Sequence, residues 1–316
     1  MAVQQHRILV VSADAGDYVE RLQAALPAHA ELSYATTVEG AESLVNECDV
    51  VLGNPSLVAE ILPQATHLKW VQSTFAGVEP LCRPGLRRDY QLTGVRDVFG
   101  PLMSEYVFLH VLANERQLAA TWQAQTDGLW QPLAYRGLSG LTLGICGLGS
   151  IGRHIATTGR HFGMRVLGYR RSDGVCDEVD RVYSGDRLHD FLAQLDYLVL
   201  ALPQTAATHH LIDAAALAEL NAEATLINVG RGDAVDEEAL IAALRRGRLR
   251  HAVLDVFETE PLPLGNPLWR LPNATVTPHN AARSFPADIV RLFLVNYEHY
   301  CRGDALEHLV DFERGY

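Results

Sequence analysis

Gly144-Ile-Cys-Gly147-Leu-Gly149-Ser-Ile-Gly152 decides how this chain folds. The apolar run 141–146 that leads into it reads as a buried strand, and 151–162 carries apolar residues at helical spacing. Gly147-x-Gly149-x-x-Gly152 therefore falls on a strand-to-helix turn, where a dinucleotide-binding fold needs it. The first glycine permits a tight turn, the second lets a pyrophosphate approach the backbone, and the third lets helix and strand pack closely. Free N–H groups at the helix start face the phosphates. Glycine-rich turns are common, so this one has to be weighed with the rest of the chain.

Downstream the doubly wound pattern is regular. Strands are expected at 141–146, 165–169, 197–201, 225–229, 251–255 and 274–277, with helices at 151–162, 187–194, 213–220 and 236–246. Upstream, strand-like 7–12, 31–34, 49–53, 68–72 and 91–95 alternate with helix-like 17–26, 38–45 and 56–61, which implies a second parallel sheet. The glycine fingerprint arrives only after that unit is complete. The expectation is an α/β chain of two Rossmann-like domains with parallel doubly wound sheets. A flavodoxin-like substrate-binding domain takes 1–98 and 284–316, and an NAD(P)-binding domain, 99–283, is inserted into it. Residues 101–116 read as a long helix, apolar on more than one face and hence expected to be deeply buried, with Pro101 in its first turn. Residues 119–140, with Trp122, Trp130 and Pro132, belong to no sheet and read as an arm, suited to dimerisation or to packing on its own domain. A last helix, 284–300, returns towards the first domain.

The 316 residues are 48% apolar and 20% charged, an ordinary globular composition with room for two cores. A formal charge of −12 disfavours nucleic acid or an anionic membrane as partner, but not a small anion bound by local arginines. No apolar run reaches the ~18–20 residues of a membrane-spanning helix. Met1–Val11 reads as a first strand rather than a signal peptide. The five cysteines (48, 82, 146, 176 and 301) contain no Cys-x-x-Cys, so reduced thiols and a cytoplasmic location are expected. His209-His210, His154 and His161 lack a carboxylate or cysteine at metal-ligand spacing, and no metal site is expected.

Several segments at strand ends carry chemistry. After the second strand of the dinucleotide unit comes Tyr169-Arg170-Arg171-Ser172, where NAD-binding units place an acidic residue for the ribose hydroxyls. Two arginines and a serine suit a ribose 2′-phosphate instead, so NADP(H) is favoured, with NAD(H) usable. The alternative is a solvated arginine pair, with Asp173 serving the ribose. Asn228-Val229-Gly230-Arg231-Gly232, Asp255-Val-Phe-Glu258-Thr-Glu260-Pro261 and Thr277-Pro-His279-Asn-Ala281 each leave a strand. Ligands of open α/β sheets bind at the carboxyl ends of strands, so Arg231, Glu260 and His279 can converge there. Arginine binds a carboxylate bidentately, histidine donates a proton as hydride arrives, and a glutamate favours and orients the charged imidazole. Taken singly, such an arginine is usually a surface ion pair and such a histidine structural. Their arrangement behind a correctly placed glycine turn argues otherwise.

Gly147-Leu-Gly-Ser-Ile-Gly152, Asn228-Val-Gly-Arg-Gly232, Asp255-Val-Phe-Glu-Thr-Glu-Pro-Leu-Pro263 and Thr277-Pro-His-Asn-Ala-Ala282, in this order, resemble the D-isomer-specific 2-hydroxyacid dehydrogenases. Trp130-Gln-Pro-Leu-Ala-Tyr-Arg136 and the terminal Arg314-Gly-Tyr316 are similar to the glyoxylate/hydroxypyruvate reductase A branch. The resemblance implies Arg231 as substrate-binding residue, His279 as general acid/base and Glu260 as its partner. It places Gly147, Leu148, Gly149, Ser150, Ile151 and Gly152 at the pyrophosphate, and Leu202, Pro203, Val229, Gly230 and Asp255 along the coenzyme, with Asp255 at the nicotinamide carboxamide. The backbone of Phe75, Ala76 and Gly77 matches the loop that holds the substrate carboxylate, although Ser73-Thr-Phe-Ala-Gly77 replaces that branch's smaller Gly-Ala-Gly type of segment. The expected reaction is hydride transfer from NADPH to C2 of a short 2-oxoacid, by a homodimer. The alternatives are an NAD-dependent enzyme for a bulkier oxoacid and a non-enzymatic dinucleotide-sensing protein of the same fold.

Overall fold

The computed structural model describes residues 5–316; residues 1–4 of the opening stretch Met1–Val11 lie outside the described residues. The chain divides into two compact units, Met1–Val98 with Ser284–Tyr316, and Phe99–Arg283. In the first unit β1 (His6–Val11), β2 (Ala30–Ala35), β3 (Val50–Gly53), β4 (Trp70–Ser73) and β5 (Gln91–Thr93) form one sheet in the order β2-β1-β3-β4-β5. Every neighbouring pair is parallel. Ile8, Leu9, Val10 and Val11 are fully buried, the unbroken apolar run that a strand covered on both faces requires. The connecting helices are α1 (Ala15–Ala25), α2 (Val38–Val45) and α3 (Pro55–Ile61). Thr37 caps α2 through the Gly40 amide, and Asn54 caps α3 through that of Ser56.

The second unit begins with α4 (Gly100–Glu115) and α5 (Leu118–Thr126). There follow β6 (Thr142–Cys146), α6 (Ser150–His161), β7 (Arg165–Tyr169), β8 (Arg181–Tyr183), α7 (Leu188–Leu192), β9 (Tyr197–Leu200) and α8 (Ala214–Glu219). The unit closes with β10 (Thr225–Asn228), α9 (Glu237–Arg245), β11 (His251–Leu254) and β12 (Ala274–Val276). The sheet runs β12-β11-β10-β9-β6-β7-β8, again wholly parallel. Its direction of growth reverses between β6 and β9, so the carboxyl ends of these two strands flank a switch point, where such sheets bind ligands.

Two expectations need correction. Helix α4 is not buried on all sides: Val107, Phe108 and Val111 are in the core, but Leu109 and Leu112 are 58% and 37% exposed. Sixteen residues cannot be covered all round by the single helix and sheet face against which α4 packs, so its apolar surplus faces outwards. The presumed arm is partly helical, since α5 fills its first half. Strand β8 was not expected: it is short and led by charged Asp180-Arg181, as an outermost strand tolerates.

The last helix, α10 (Pro286–Arg302), belongs to the first unit. Phe293 stacks on Trp70 of β4 with centroids 5.0 Å apart, and Asn296 donates to the Gln72 carbonyl oxygen at 3.2 Å. Gly303, at φ +74°, ends the helix in the left-handed conformation that glycine adopts freely.

Candidate active site

The carboxyl edge of the second unit's sheet is built from turns that only glycine can make. Gly147 has φ +98°, and a Cβ there would lie 2.4 Å from the Ala201 carbonyl oxygen. A Cβ on Gly152 would sit 1.9 Å from the oxygen of Gly147, so these two glycines hold the turn against its own helix and the next strand. Gly149 differs. A Cβ on it would meet nothing within 4 Å, and no protein packing explains the residue. It stands at the N-cap of α6 without a side-chain cap, so its bare backbone opens the Ser150 and Ile151 amides to a ligand. That is what a pyrophosphate requires, and the site fits a dinucleotide. Leu148 packs towards β7, where a Cβ on Gly168 would strike its side chain at 2.5 Å.

Past β7, the Arg170 amide donates to the Tyr183 carbonyl at 3.1 Å. Its side-chain Nε is buried with no hydrogen-bond partner among the described residues. Arg171 and Ser172 are exposed beside it. The Asp173 carboxylate accepts from the Ser184 hydroxyl and from Arg187 at 2.9 Å. The hydrogen bond from Ser184 holds its carboxyl below the usual range. Asp173, the other candidate for the ribose, thus already has partners.

Past β9 and β10, Leu202 and Val229 are buried and Pro203 is half-buried. Gly230 passes so close to Leu202 that a Cβ would lie 2.7 Å from its amide nitrogen. Asn228, 1% exposed, shapes the Arg231 turn by accepting from the Gly230 amide and donating to the Arg231 carbonyl, at 3.1 and 2.9 Å. Gly232 is fixed by a still closer approach, since a Cβ would lie 1.9 Å from the carbonyl carbon of Phe257. This contact brings the Arg231 turn against the segment that leads to Glu260. Arg231 donates one guanidinium bond to the Gly230 carbonyl at 2.7 Å.

His279 and Glu260 meet directly, Nδ1 to Oε2, at 2.8 Å. The other carboxylate oxygen, Oε1, accepts from the Phe257 amide at 3.0 Å, which fixes the glutamate. The bond to Glu260 raises the His279 pKa; burial and the Arg231 charge oppose this. Burial alone would raise Glu260, but the bonds from His279 and the Phe257 amide outweigh it, and its pKa falls. With Nδ1 on the carboxylate, Nε2 is the proton-carrying position turned away from it. His279 holds φ +52°, uncommon for a non-glycine residue, and its own amide donates to the Asp255 carbonyl at 2.9 Å. Asp255, 2% exposed, accepts through Oδ1 from the Thr277 hydroxyl at 2.6 Å and the Asn280 amide at 2.9 Å. Its Oδ2 accepts from the Ala281 amide at 2.9 Å. Asn228, Gly232 and Thr277 were not singled out from the sequence, although each stands within a quoted motif at a strand end, which is the signal that marks them.

In the first unit, the segment after β4 carries Phe75, Ala76 and Gly77. The Phe75 amide donates to the Ser73 hydroxyl at 3.0 Å, and that hydroxyl donates to the Phe75 carbonyl at 2.7 Å. Of the three residues expected to offer N–H groups, Phe75 has its own already engaged. Its ring is 43% exposed.

A glycine turn fitted to a dinucleotide, followed by an arginine, an acid-paired histidine and a fixed glutamate on one sheet edge, defines a nicotinamide-dependent oxidoreductase. A family model described as D-isomer specific 2-hydroxyacid dehydrogenase, NAD binding domain, matches residues 108–281. Glyoxylate/hydroxypyruvate reductase A of Yersinia enterocolitica is 33% identical over 264 residues, 81% of this chain and 84% of that protein. A D-isomer specific 2-hydroxyacid dehydrogenase family protein from Aeromonas salmonicida is 47% identical with a TM-score of 0.93, covering 98% of this chain and 100% of that one. A D-isomer specific 2-hydroxyacid dehydrogenase from Xanthobacter autotrophicus, solved with NADPH and MES, is 33% identical with a TM-score of 0.90 over 99% of this chain and 100% of that one. The chain belongs to the D-isomer-specific 2-hydroxyacid dehydrogenase family. It binds a nicotinamide dinucleotide and acts on the CH–OH group of 2-hydroxyacids, or in reverse on 2-oxoacids. Among the described residues no group of histidine, cysteine or carboxylate side chains could hold a metal, and no helix is long and apolar enough to cross a membrane.

Proposed function

We propose that this protein is an NADPH-dependent reductase of short 2-oxoacids, such as glyoxylate or hydroxypyruvate, that yields the D-2-hydroxyacid. The observation that carries the reading is the 2.8 Å His279–Glu260 pair within electrostatic range of Arg231. The bound coenzyme supplies a hydride to C2 of the substrate. Arg231 binds the substrate carboxylate and draws charge towards the neighbouring carbonyl oxygen, helped by the amides of Ala76 and Gly77. His279 carries a proton on Nε2 and delivers it to the developing alkoxide, while Glu260 keeps the imidazole charged and oriented. Gly149, Ser150 and Ile151 hold the pyrophosphate by their amides, with Gly147, Leu148 and Gly152 shaping the turn. Leu202, Pro203, Val229 and Gly230 line the coenzyme, and Asp255 takes the nicotinamide carboxamide.

The preference for NADPH rests on Arg170. A buried, unpartnered guanidinium N–H costs free energy unless a ligand satisfies it, and a 2′-phosphate with Arg171 and Ser172 beside it does so. The NADPH bound to the Xanthobacter relative is in line with this. A second copy of the chain accounts for the exposed Leu109, Trp122, Leu129, Trp130 and Tyr135, an apolar surplus that a monomer rarely leaves in water.

The test is the rate of NADPH and NADH oxidation with glyoxylate, hydroxypyruvate, pyruvate and bulkier oxoacids. The expected result is preferred use of NADPH and of the two smallest substrates. Preference for NADH would remove the role given to Arg170, and a preference for bulky oxoacids would make Phe75 part of an apolar pocket. No turnover with any of them would leave a dinucleotide-sensing protein.

A further inference from the structure

Helix α4 lies outside the groups assigned so far, yet it touches both ends of the coenzyme-binding edge. Its Ser104 hydroxyl is 2.7 Å from His154 Nδ1 on α6, the helix that opens with the pyrophosphate turn. Two residues on, the Tyr106 hydroxyl is 2.6 Å from Thr277 Oγ1, on the segment that carries His279. Thr277 Oγ1 is in turn 2.6 Å from Asp255 Oδ1.

The polarity of this chain follows from its ends. A carboxylate only accepts, so Thr277 spends its single proton on Asp255. Thr277 Oγ1 must then accept, and Tyr106 must donate. Burial pushes the Tyr106 phenol up to about 12, so it keeps that proton throughout the neutral range. Each bond in such a chain polarises the next. At its far end Asp255 takes the amides of Asn280 and Ala281, while its main-chain carbonyl takes that of His279. The left-handed backbone of His279 is thus held from both sides by one residue, whose carboxylate is aimed by Thr277 and Tyr106.

We infer that Tyr106 is a positioning residue for proton transfer: acting through Thr277 and Asp255, its hydroxyl holds the His279 segment in register with Glu260. The inference rests on the reading of His279 as the proton donor. Because Ser104 and Tyr106 share one helix, α4 also sets the spacing between the phosphate end and the reacting end of the coenzyme.

Tyr106→Phe removes the donor and keeps the ring. It should lower kcat about tenfold, within the range that a small misplacement of a reacting group costs. KM for the oxoacid should change less than about threefold, because Arg231 is untouched. The upper limb of the pH profile for reduction should move to lower pH, since a displaced imidazole loses part of its bond to Glu260. A merely structural tyrosine would lower the melting temperature and leave that limb in place. Thr277→Val should give the same phenotype, Thr277→Ser should restore both kcat and the profile, and the double variant Tyr106→Phe/Thr277→Val should be no worse than either single one. Unchanged kcat and profile in both single variants, or additive losses in the double, would overturn the inference. If Tyr106→Phe does not fold, Thr277→Val reads the same chain from its other end. His279→Ala separates the two layers of the argument: if it too retains turnover, the proton-donor reading fails, and if it alone is inactive, only the role of Tyr106 does.

Discussion

The two edges of the second unit's sheet each carry a carboxylate among basic side chains, and they use it in opposite ways. At the carboxyl edge Glu260 faces His279, whose side chain is 53% exposed. At the amino edge Glu115, 2% exposed, accepts a two-pronged bond from Arg136 at 2.8 and 2.9 Å, a third from Arg250 at 2.9 Å and a fourth from the Tyr197 hydroxyl at 2.7 Å. Burial would raise Glu115, but the bonds from Arg136, Tyr197 and Arg250 together bring it down to about 2. The difference lies in the partner. Arginine does not release its proton, so the amino edge is a fixed knot that ties the end of α4 to the starts of β9 and β11. Histidine does release it, and a histidine left half in water can exchange it with a substrate. Similar ion-pair chemistry gives a lock where it is buried and saturated, and an acid where it is open and one bond short.

Three substitutions probe this contrast. Glu115→Gln should have the largest effect, because it leaves two guanidinium groups without their buried counter-charge: about 3–5 kcal/mol of unfolding free energy, read by urea denaturation. The sign with pH is fixed by the lowered pKa. The contribution of Glu115 is complete above the ordinary value of 4.5 and fades as pH falls towards about 2. The wild type should therefore lose stability across that window, while the variant loses correspondingly less. A variant as stable as wild type at neutral pH would show that the knot is not a lock.

Glu260→Gln should leave stability nearly unchanged but reduce oxoacid turnover about tenfold near neutral pH. Since Glu260 raises the His279 pKa, losing it lets the imidazole give up its proton sooner, and the upper limb of the reduction profile moves to lower pH. A stationary limb would mean that the 2.8 Å contact does not govern the proton. Tyr197→Phe should be the mildest, about 1 kcal/mol of stability with kinetics unaltered, because Glu115 keeps both arginines. A change in its pH profile would mean that the two edges are coupled.

Much of this was legible in the residues. The six strands expected in the second unit are all present with ends displaced by at most one residue, because apolar runs bounded by glycine or polar residues leave little choice. Gly147 and Gly152 behave as the motif requires, and Arg231, Glu260 and His279 lie near one another because parallel strands send every carboxyl end to one edge. What could not be read depends on separation along the chain. Glu115, Arg136, Tyr197 and Arg250 have no common spacing, and Tyr106 stands 171 residues from Thr277. Strand β8 escaped because its three residues carry too little pattern, and the burial of α4 was overestimated because apolar residues all round a helix do not say which of them find cover.

The place of α10 has a consequence for how the chain is made. The first unit's sheet is laid down by residues 1–98, but the ring that stacks on Trp70 and the amide that pairs with Gln72 come from Phe293 and Asn296. At synthesis rates of about 5–20 residues per second, the intervening residues 99–283 take on the order of ten seconds or more to emerge. For that interval the ribosome-bound chain holds an unfinished sheet whose cover has not been translated. The inserted unit, by contrast, is encoded without interruption and can complete itself first. The order of birth is therefore not the order of folding: the part that begins the protein is the part that has to wait.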